Sequence, residues 1–273
     1  MADTLKSLPT KSQSFADIVK SGAIYADKTD TIAHIVTSMD NETEAKAVLL
    51  TRPKGFGKTL TISTLESILS KDRHKHFLNF GFVNNYQSPV APRPVIRLDM
   101  GQANASEGLE EFKRSLRSLT FKKADELGVS TPDHLSPAEA LDNLISSLSR
   151  KSWQQGIAIL VDDYDQPLCD LALKPWREEG EKLLAGFYGE LKYYDQRVSF
   201  ILAAGVSAYH ESGELSYLKN FADISRIPCC GWLCGFTHEE LERYFGAHIE
   251  AAAKSLDMTP EKLFGVMQSR YEG

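Results

Sequence analysis

Residues 47–60 read AVLLTRPKGFGKTL, and this stretch decides the fold. Ala47, Val48, Leu49 and Leu50 form a short apolar run with the length and composition of a buried parallel strand. The run feeds into Arg52-Pro53-Lys54-Gly55-Phe56-Gly57-Lys58-Thr59. Beyond it Ile62, Leu65, Ile68 and Leu69 recur at helical spacing. Strand, glycine-containing turn ending in Gly-Lys-Thr, then helix is the context in which a phosphate-binding P-loop motif carries meaning. Backbone N–H groups at a helix N-terminus converge on one spot, and the helix dipole favours an anion there. Lys58 would neutralise the β- and γ-phosphates of a nucleotide, and the Thr59 hydroxyl would hold Mg²⁺. Arg52, Lys54, Gly55, Phe56 and Gly57 complete the candidate phosphate-binding set. The motif's first glycine is replaced by Arg52, and Pro53 pushes Arg52 towards an extended backbone, so the loop must turn by other means. The bland alternative is a basic strand-to-helix loop with no ligand.

A second apolar run, Ile157 to Val161, ends in Asp162-Asp163-Tyr164-Asp165. Apolar residues closing on an aspartate have the form of a Walker B strand, whose aspartate joins the Mg²⁺ shell opposite the P-loop threonine. Asp162 is therefore the second candidate metal ligand, after Thr59. The plain alternative is a strand that ends in solvated acids. Asp163 stands where many ATPases carry a water-activating glutamate; aspartate does the same acid–base work one methylene shorter, and base positioning is sensitive to such an offset. Asp163 and Lys58 are the candidate catalytic residues. A third run, Val198 to Gly205, is expected to lie beside Walker B. It ends in Ala203-Ala204, where many P-loop ATPases have a polar residue facing the γ-phosphate. Arg226 and Arg243 qualify as arginine fingers only by lying downstream.

Around these strands the pattern alternates. Val95 to Met100 reads as a strand, residues 106–150 carry helical periodicity interrupted at Gly128 to Pro137, and a helix is expected from about Trp176 to Tyr194. Alternation of this kind predicts an α/β fold, a mostly parallel sheet flanked by helices, with ligands at the carboxyl ends of the strands. Residues 1–46 suggest a solvated helical hairpin: Phe15, Ile18 and Val19 on one short helix, and Ile32, Ile35 and Val36 on another, with Asp27 or Thr29 as a cap. Residues 47–228 make the nucleotide-binding core. Residues 229–273 make a small helical lid, opened by a capping box at Thr237 and Glu240 and a further start at Thr259-Pro260. That lid stops without a closing element, as expected of a cut chain or one with a downstream domain. His74 to Pro94 reads as a connector.

The chain of 273 residues carries 31 basic and 37 acidic side chains, a net charge of −6, which argues against a general nucleic-acid surface. There is no signal segment and no run of about 18 apolar residues, so no membrane association is expected. The four cysteines (Cys169, Cys229, Cys230 and Cys234) suggest a reducing compartment and a cytoplasmic protein. The spacing of Cys229, Cys230 and Cys234 lacks zinc-site pairs, so buried thiols in an apolar stretch are expected there. His210-Glu211 has no assignable partner.

These pieces together resemble the AAA-ATPase-like family, P-loop proteins often joined in bacteria to a downstream restriction-endonuclease-like domain. The resemblance lies in Leu8-Pro9 with Phe15, Tyr25-Ala26-Asp27-Lys28-Thr29, Thr51 to Thr59, Pro94 to Asp99, Val161 to Pro167, Gly235 to Glu240 and Tyr271-Glu272-Gly273. Arg-Pro in place of the first glycine is the family's own form. The resemblance implies an AAA/RecA-like P-loop core binding ATP and Mg²⁺, with Tyr25, Asp27 and Lys28 near the base and sugar. Two departures fall where hydrolysis is performed: Asp163 replaces the family's glutamate, and Ala204-Gly205 replaces Thr-Gly with a nearby arginine. The expectation is a nucleoside-triphosphate-binding domain with slow hydrolysis, an ATPase or a nucleotide-dependent switch with a protein partner or self-association. The alternatives are a non-catalytic interaction scaffold and phosphoryl transfer to a partner.

Overall fold

The computed structural model describes residues 5–9, 14–41, 47–71, 77, 80, 90–151, 156–191, 198–208 and 220–271. In chain order the elements are α1 (Phe15–Ser21), α2 (Thr29–Asn41), β1 (Ala47–Thr51), α3 (Lys58–Leu69), β2 (Val95–Asp99), α4 (Leu109–Glu126), α5 (Pro137–Lys151), β3 (Ile157–Asp162), α6 (Gln166–Leu171), α7 (Arg177–Gly189), β4 (Val198–Gly205), β5 (Ala222–Asp223), α8 (His238–Ser255) and α9 (Pro260–Tyr271). The strands make one five-stranded sheet in the order β2-β3-β4-β1-β5, and every pairing in it is parallel. β1 stands beside β4 rather than β2, so the loop leaving β1 opens at the point where the strand order reverses, the usual place for a ligand in such sheets.

Both faces of the sheet are buried, which is why its central strands read as continuous apolar runs. On one face Leu49, Leu98, Ile159 and Val161 pack with Phe112, Leu116, Leu144, Leu184 and Phe187 of α4, α5 and α7. On the other, Leu50, Leu160, Leu202 and Ala204 pack with Ile62 and Leu65 of α3. Phe15, Ile32 and Val36 of the N-terminal helices belong to that second core, each at most 1% exposed. At roughly 2 kcal/mol per fully buried side chain, the hairpin is structural, and the solvated cover expected from its sequence is corrected. The apolar faces of α1 and α2 were visible in the sequence; the partner they bury against, α3, was not.

β4 carries a register irregularity opposite Ile157/Ala158. The extra residue is Ser199, whose hydroxyl donates to Ile157 O (3.0 Å) and accepts from the Arg93 guanidinium (2.7 Å). This bulge moves Phe200 onto the α3 face and fixes which way Ala203 and Ala204 point. α1 starts with a Ser14/Asp17 capping box, and α8 with the expected Thr237/Glu240 box. The short helix α6 and the two-residue strand β5 carry too few residues for a periodic signal. α7 ends at Gly189 and turns at Glu190 and Leu191, earlier than expected; residues 192–194 of the expected helix lie outside the described residues, as do His210-Glu211 and most of the expected connector.

Candidate functional site

The loop after β1 turns on two glycines with left-handed backbones, Gly55 (φ 83°) and Gly57 (φ 92°). A β-carbon at either would meet nothing within 4 Å, so glycine is required for its backbone freedom and not for space. The missing first glycine is replaced by a turn in which Phe56 N–H donates to Pro53 O (3.4 Å). Arg52 N–H donates to Gly205 O (3.1 Å), and the Arg52 side chain donates to Thr51 O (2.8 Å). Lys58 is 5% exposed. Its ammonium donates to Arg52 O (3.1 Å) and Pro53 O (3.3 Å), carbonyls of its own loop. The first turn of α3 has no intrahelical acceptor for its N–H groups, so a cation and a set of free donors meet at one end of a helix. Lys54 is exposed. Phe56 is 45% exposed, and its carbonyl accepts from Gly235 N–H (2.8 Å), which clips the loop to the chain just before α8.

Thr59 and Asp162, 103 residues apart, are brought together: Thr59 Oγ1 donates to Asp162 Oδ1 at 3.3 Å. Asp162 is 1% exposed. Burial pushes its carboxyl above the ordinary aspartate range, Arg97 opposes that push, and Asp163 adds to it. Two hard oxygen donors side by side suit Mg²⁺, which keeps several waters and nucleotide oxygens and needs no all-protein cage. Among the described residues no group of three or more His, Cys, Asp or Glu is arranged for a metal. Cys230 and Cys234 are buried, as expected, and Cys169 is exposed.

Two features here were missed in the sequence. Arg97, in the middle of β2, donates to Asp162 Oδ2 (3.3 Å) and to Glu66 Oε2 of α3 (3.2 Å); a lone arginine inside an otherwise apolar strand was the available signal. The second is what Asp163-Tyr164-Asp165 do. Asp163 has φ 47°, a conformation that aspartate and asparagine adopt more readily than longer side chains. It is half-buried, and its carbonyl accepts from Gln166 N–H (2.9 Å). Asp165 Oδ2 accepts from Val206 N–H (3.0 Å) and Ser207 N–H (2.7 Å), and the Tyr164 hydroxyl donates to Ser207 O. Tyr164 and Asp165 together bind the loop that follows β4. A β-carbon on Gly205 would collide with the Asp165 carboxylate and lie 2.6 Å from the Tyr164 ring.

The segment Tyr25 to Thr29 packs behind the loop. The Tyr25 hydroxyl shares a hydrogen bond with Thr64 of α3 (3.2 Å), its ring meets Phe15 edge-on, and burial pushes its pKa up. Asp27 Oδ1 accepts from Thr29 N–H (3.0 Å) and Thr29 Oγ1 (2.7 Å), capping α2. Lys28 pairs with both oxygens of Glu240 (2.7 and 2.8 Å), tying this segment to α8. Arg226 and Arg243 are exposed, and Arg243 lies over the Tyr244 ring.

No helix of the described residues is long and apolar enough to cross a membrane. A protein of Azotobacter chroococcum mcd 1, named "Uncharacterized protein in vnfD 5'region", is 25% identical over 250 residues. The match covers 89% of this chain and 46% of that protein, so the chain spans about half the length of the curated relative it matches. A family model described as a predicted AAA-ATPase matches residues 9–213. Those residues hold α1 to α7, β1 to β4 and the two loops that meet at Gly205. The chain belongs to the AAA-ATPase-like family, whose members are nucleotide-binding proteins.

Proposed function

We propose that the chain binds ATP with Mg²⁺ at residues 52–59 and hydrolyses it slowly, working as a nucleotide-dependent switch or a slow ATPase. The observation that carries this reading is the 3.3 Å contact between Thr59 and Asp162, because a hydroxyl at the start of α3 and an acid at the end of β3 meet only if the motifs form one site. Arg52 to Gly57 cradle the phosphates through their backbone, and Lys58 exchanges its loop carbonyls for phosphate oxygens. Thr59 and Asp162 hold Mg²⁺, which supplies neutralising charge on the phosphates when bound. Asp163 orients and deprotonates the attacking water. Tyr25 and Asp27 shape the wall nearest the base through the packing of their segment on α3.

Slow turnover is supported by the end of β4. Ala204 is fully buried and apolar, and the N–H groups of Val206 and Ser207 are already taken by Asp165. The developing charge on a γ-phosphoryl group therefore finds few donors on that side. Calorimetry with ATP, GTP and ADP, with and without Mg²⁺, followed by a single-turnover assay, tests the reading. Micromolar ATP binding with slow turnover is the expected result. No nucleotide binding would leave an interaction scaffold, and label transferred to a second protein instead of water would mean phosphoryl transfer.

A further inference from the structure

We propose that Arg97 is the resident counter-cation of Asp162 and hands that carboxylate to Mg²⁺ by moving fully onto Glu66. The inference rests on the nucleotide-site reading above and adds a residue to it. Asp162 has its two oxygens engaged on different sides: Oδ1 faces Thr59, and Oδ2 faces Arg97. Its side chain is 2% exposed, and that of Arg97 is 20% exposed. A buried carboxylate stripped of a cation is costly, so the nucleotide-free protein needs one. Guanidinium is always charged and presents its donors as a fork, and here the fork spans two acids, Asp162 at 3.3 Å and Glu66 at 3.2 Å.

A divalent cation beside Thr59 changes the balance. Asp162 is then neutralised from the other side, and Arg97 is repelled at close range. Glu66 is already half of its fork, and among the described residues its other ion pair is a loose one, with Lys123 at 3.8 Å. A cleft of about 200 Å³ lined by Arg97, Glu66, Asp99, Lys122, Lys123 and Glu126 adjoins the pair and gives the side chain room to move. Arg97 is thus a positioning residue whose charge the metal must displace. Before nucleotide binds, the Asp162 carboxylate stays balanced, and Mg²⁺ enters against a resident competitor.

The test compares ATP affinity in Mg²⁺ with ATP affinity in EDTA, taking the ratio as the Mg²⁺ enhancement. Arg97→Gln should raise the enhancement on the order of tenfold and lower the melting temperature of the nucleotide-free protein. Glu66→Gln, which removes the receiving carboxylate from a partly exposed position, should lower the enhancement severalfold while ATP binding in EDTA is unchanged. In the parent, the Arg97 side-chain ¹⁵N resonances, assigned by their loss in Arg97→Gln, should shift with ADP plus Mg²⁺ and not with ADP in EDTA. If Arg97 merely orients Asp162, Arg97→Gln will lower the enhancement, and the inference is overturned. Should Arg97→Gln fail to fold, an unchanged enhancement in Glu66→Gln overturns it equally. Failure of the parent to bind ATP at all, or unchanged binding in Lys58→Ala, strikes the nucleotide-site reading instead.

Discussion

Two loops lie side by side at the carboxyl end of the sheet, joined by the hydrogen bond from Arg52 N–H to Gly205 O, and they are built in opposite ways. The loop after β1 is open: its glycines have space around them, and among the described residues its lysine is held by carbonyls of the same loop. The loop after β4 is closed: its N–H groups are occupied by Asp165, and its glycine is pressed against Tyr164 and Asp165. The first loop spends the N–H groups of Arg52 and Phe56 on the fold and leaves the start of α3 for something that arrives, while the second spends those of Val206 and Ser207 on Asp165. On the proposed function the same contrast separates retained binding from weak hydrolysis.

The sharpest way to break this comparison is to put a methyl group into each loop. Gly205→Ala should cost about 3 kcal/mol or more, because a β-carbon there overlaps buried groups that cannot give way. Gly57→Ala should cost only about 1–2 kcal/mol, the penalty of a left-handed backbone, and should weaken nucleotide binding. Urea unfolding of both variants decides, and equal losses would mean the two loops are alike. Next in size, Lys58→Ala should reduce ATP affinity about a hundredfold, the loss of a charge-assisted contact, with little change in unfolding midpoint. A large stability loss would show that the lysine holds the loop together.

The third prediction reopens the closed side. Asp163→Glu combined with Ala204→Thr should raise single-turnover ATP hydrolysis by about tenfold or more, since one positioned transition-state donor is worth more than that. Asp163→Glu alone should gain less, because glutamate is less at ease at φ 47°. Brisk turnover by the unmodified protein would break the contrast between the loops. The smallest effect concerns pH. Burial holds the Asp162 carboxyl above the ordinary value of 3.8, so between that value and its raised one the folded chain keeps a proton that the unfolded chain has lost. Stability contributed by this group therefore declines as pH rises through that window. In Asp162→Asn the decline should flatten, measured as melting temperature against pH in EDTA, while the Mg²⁺ enhancement of ATP binding disappears. An unchanged slope would mean that another group carries the titration.

The open loop was legible in the sequence and the closed one was not, for a physical reason. A P-loop is local: strand, Gly55, Gly57, Lys58, Thr59 and helix follow one another, so spacing alone exposes it. The sheet was legible too, because strands buried on both faces are written as unbroken apolar runs. The closed loop joins Tyr164 and Asp165 to residues 205–207 across a sequence gap that no periodicity spans, and the Arg97 contact depends on the register that sets Asp99 opposite Asp162. The N-terminal helices show the same limit, since their apolar faces were plain while their burial on α3 required knowing where α3 lies.

One small feature bears on how copies of the chain can meet. β5 is two residues long, and where it stops pairing with β1, the Thr51 N–H donates to the Ser225 hydroxyl (2.8 Å). The hydroxyl does what another strand's carbonyl would otherwise do. Asp223 also folds its carboxylate back onto Ser225 N–H (2.8 Å). Short, self-satisfied edges resist strand addition, so this border of the sheet is poorly suited to pairing with a strand of a second copy.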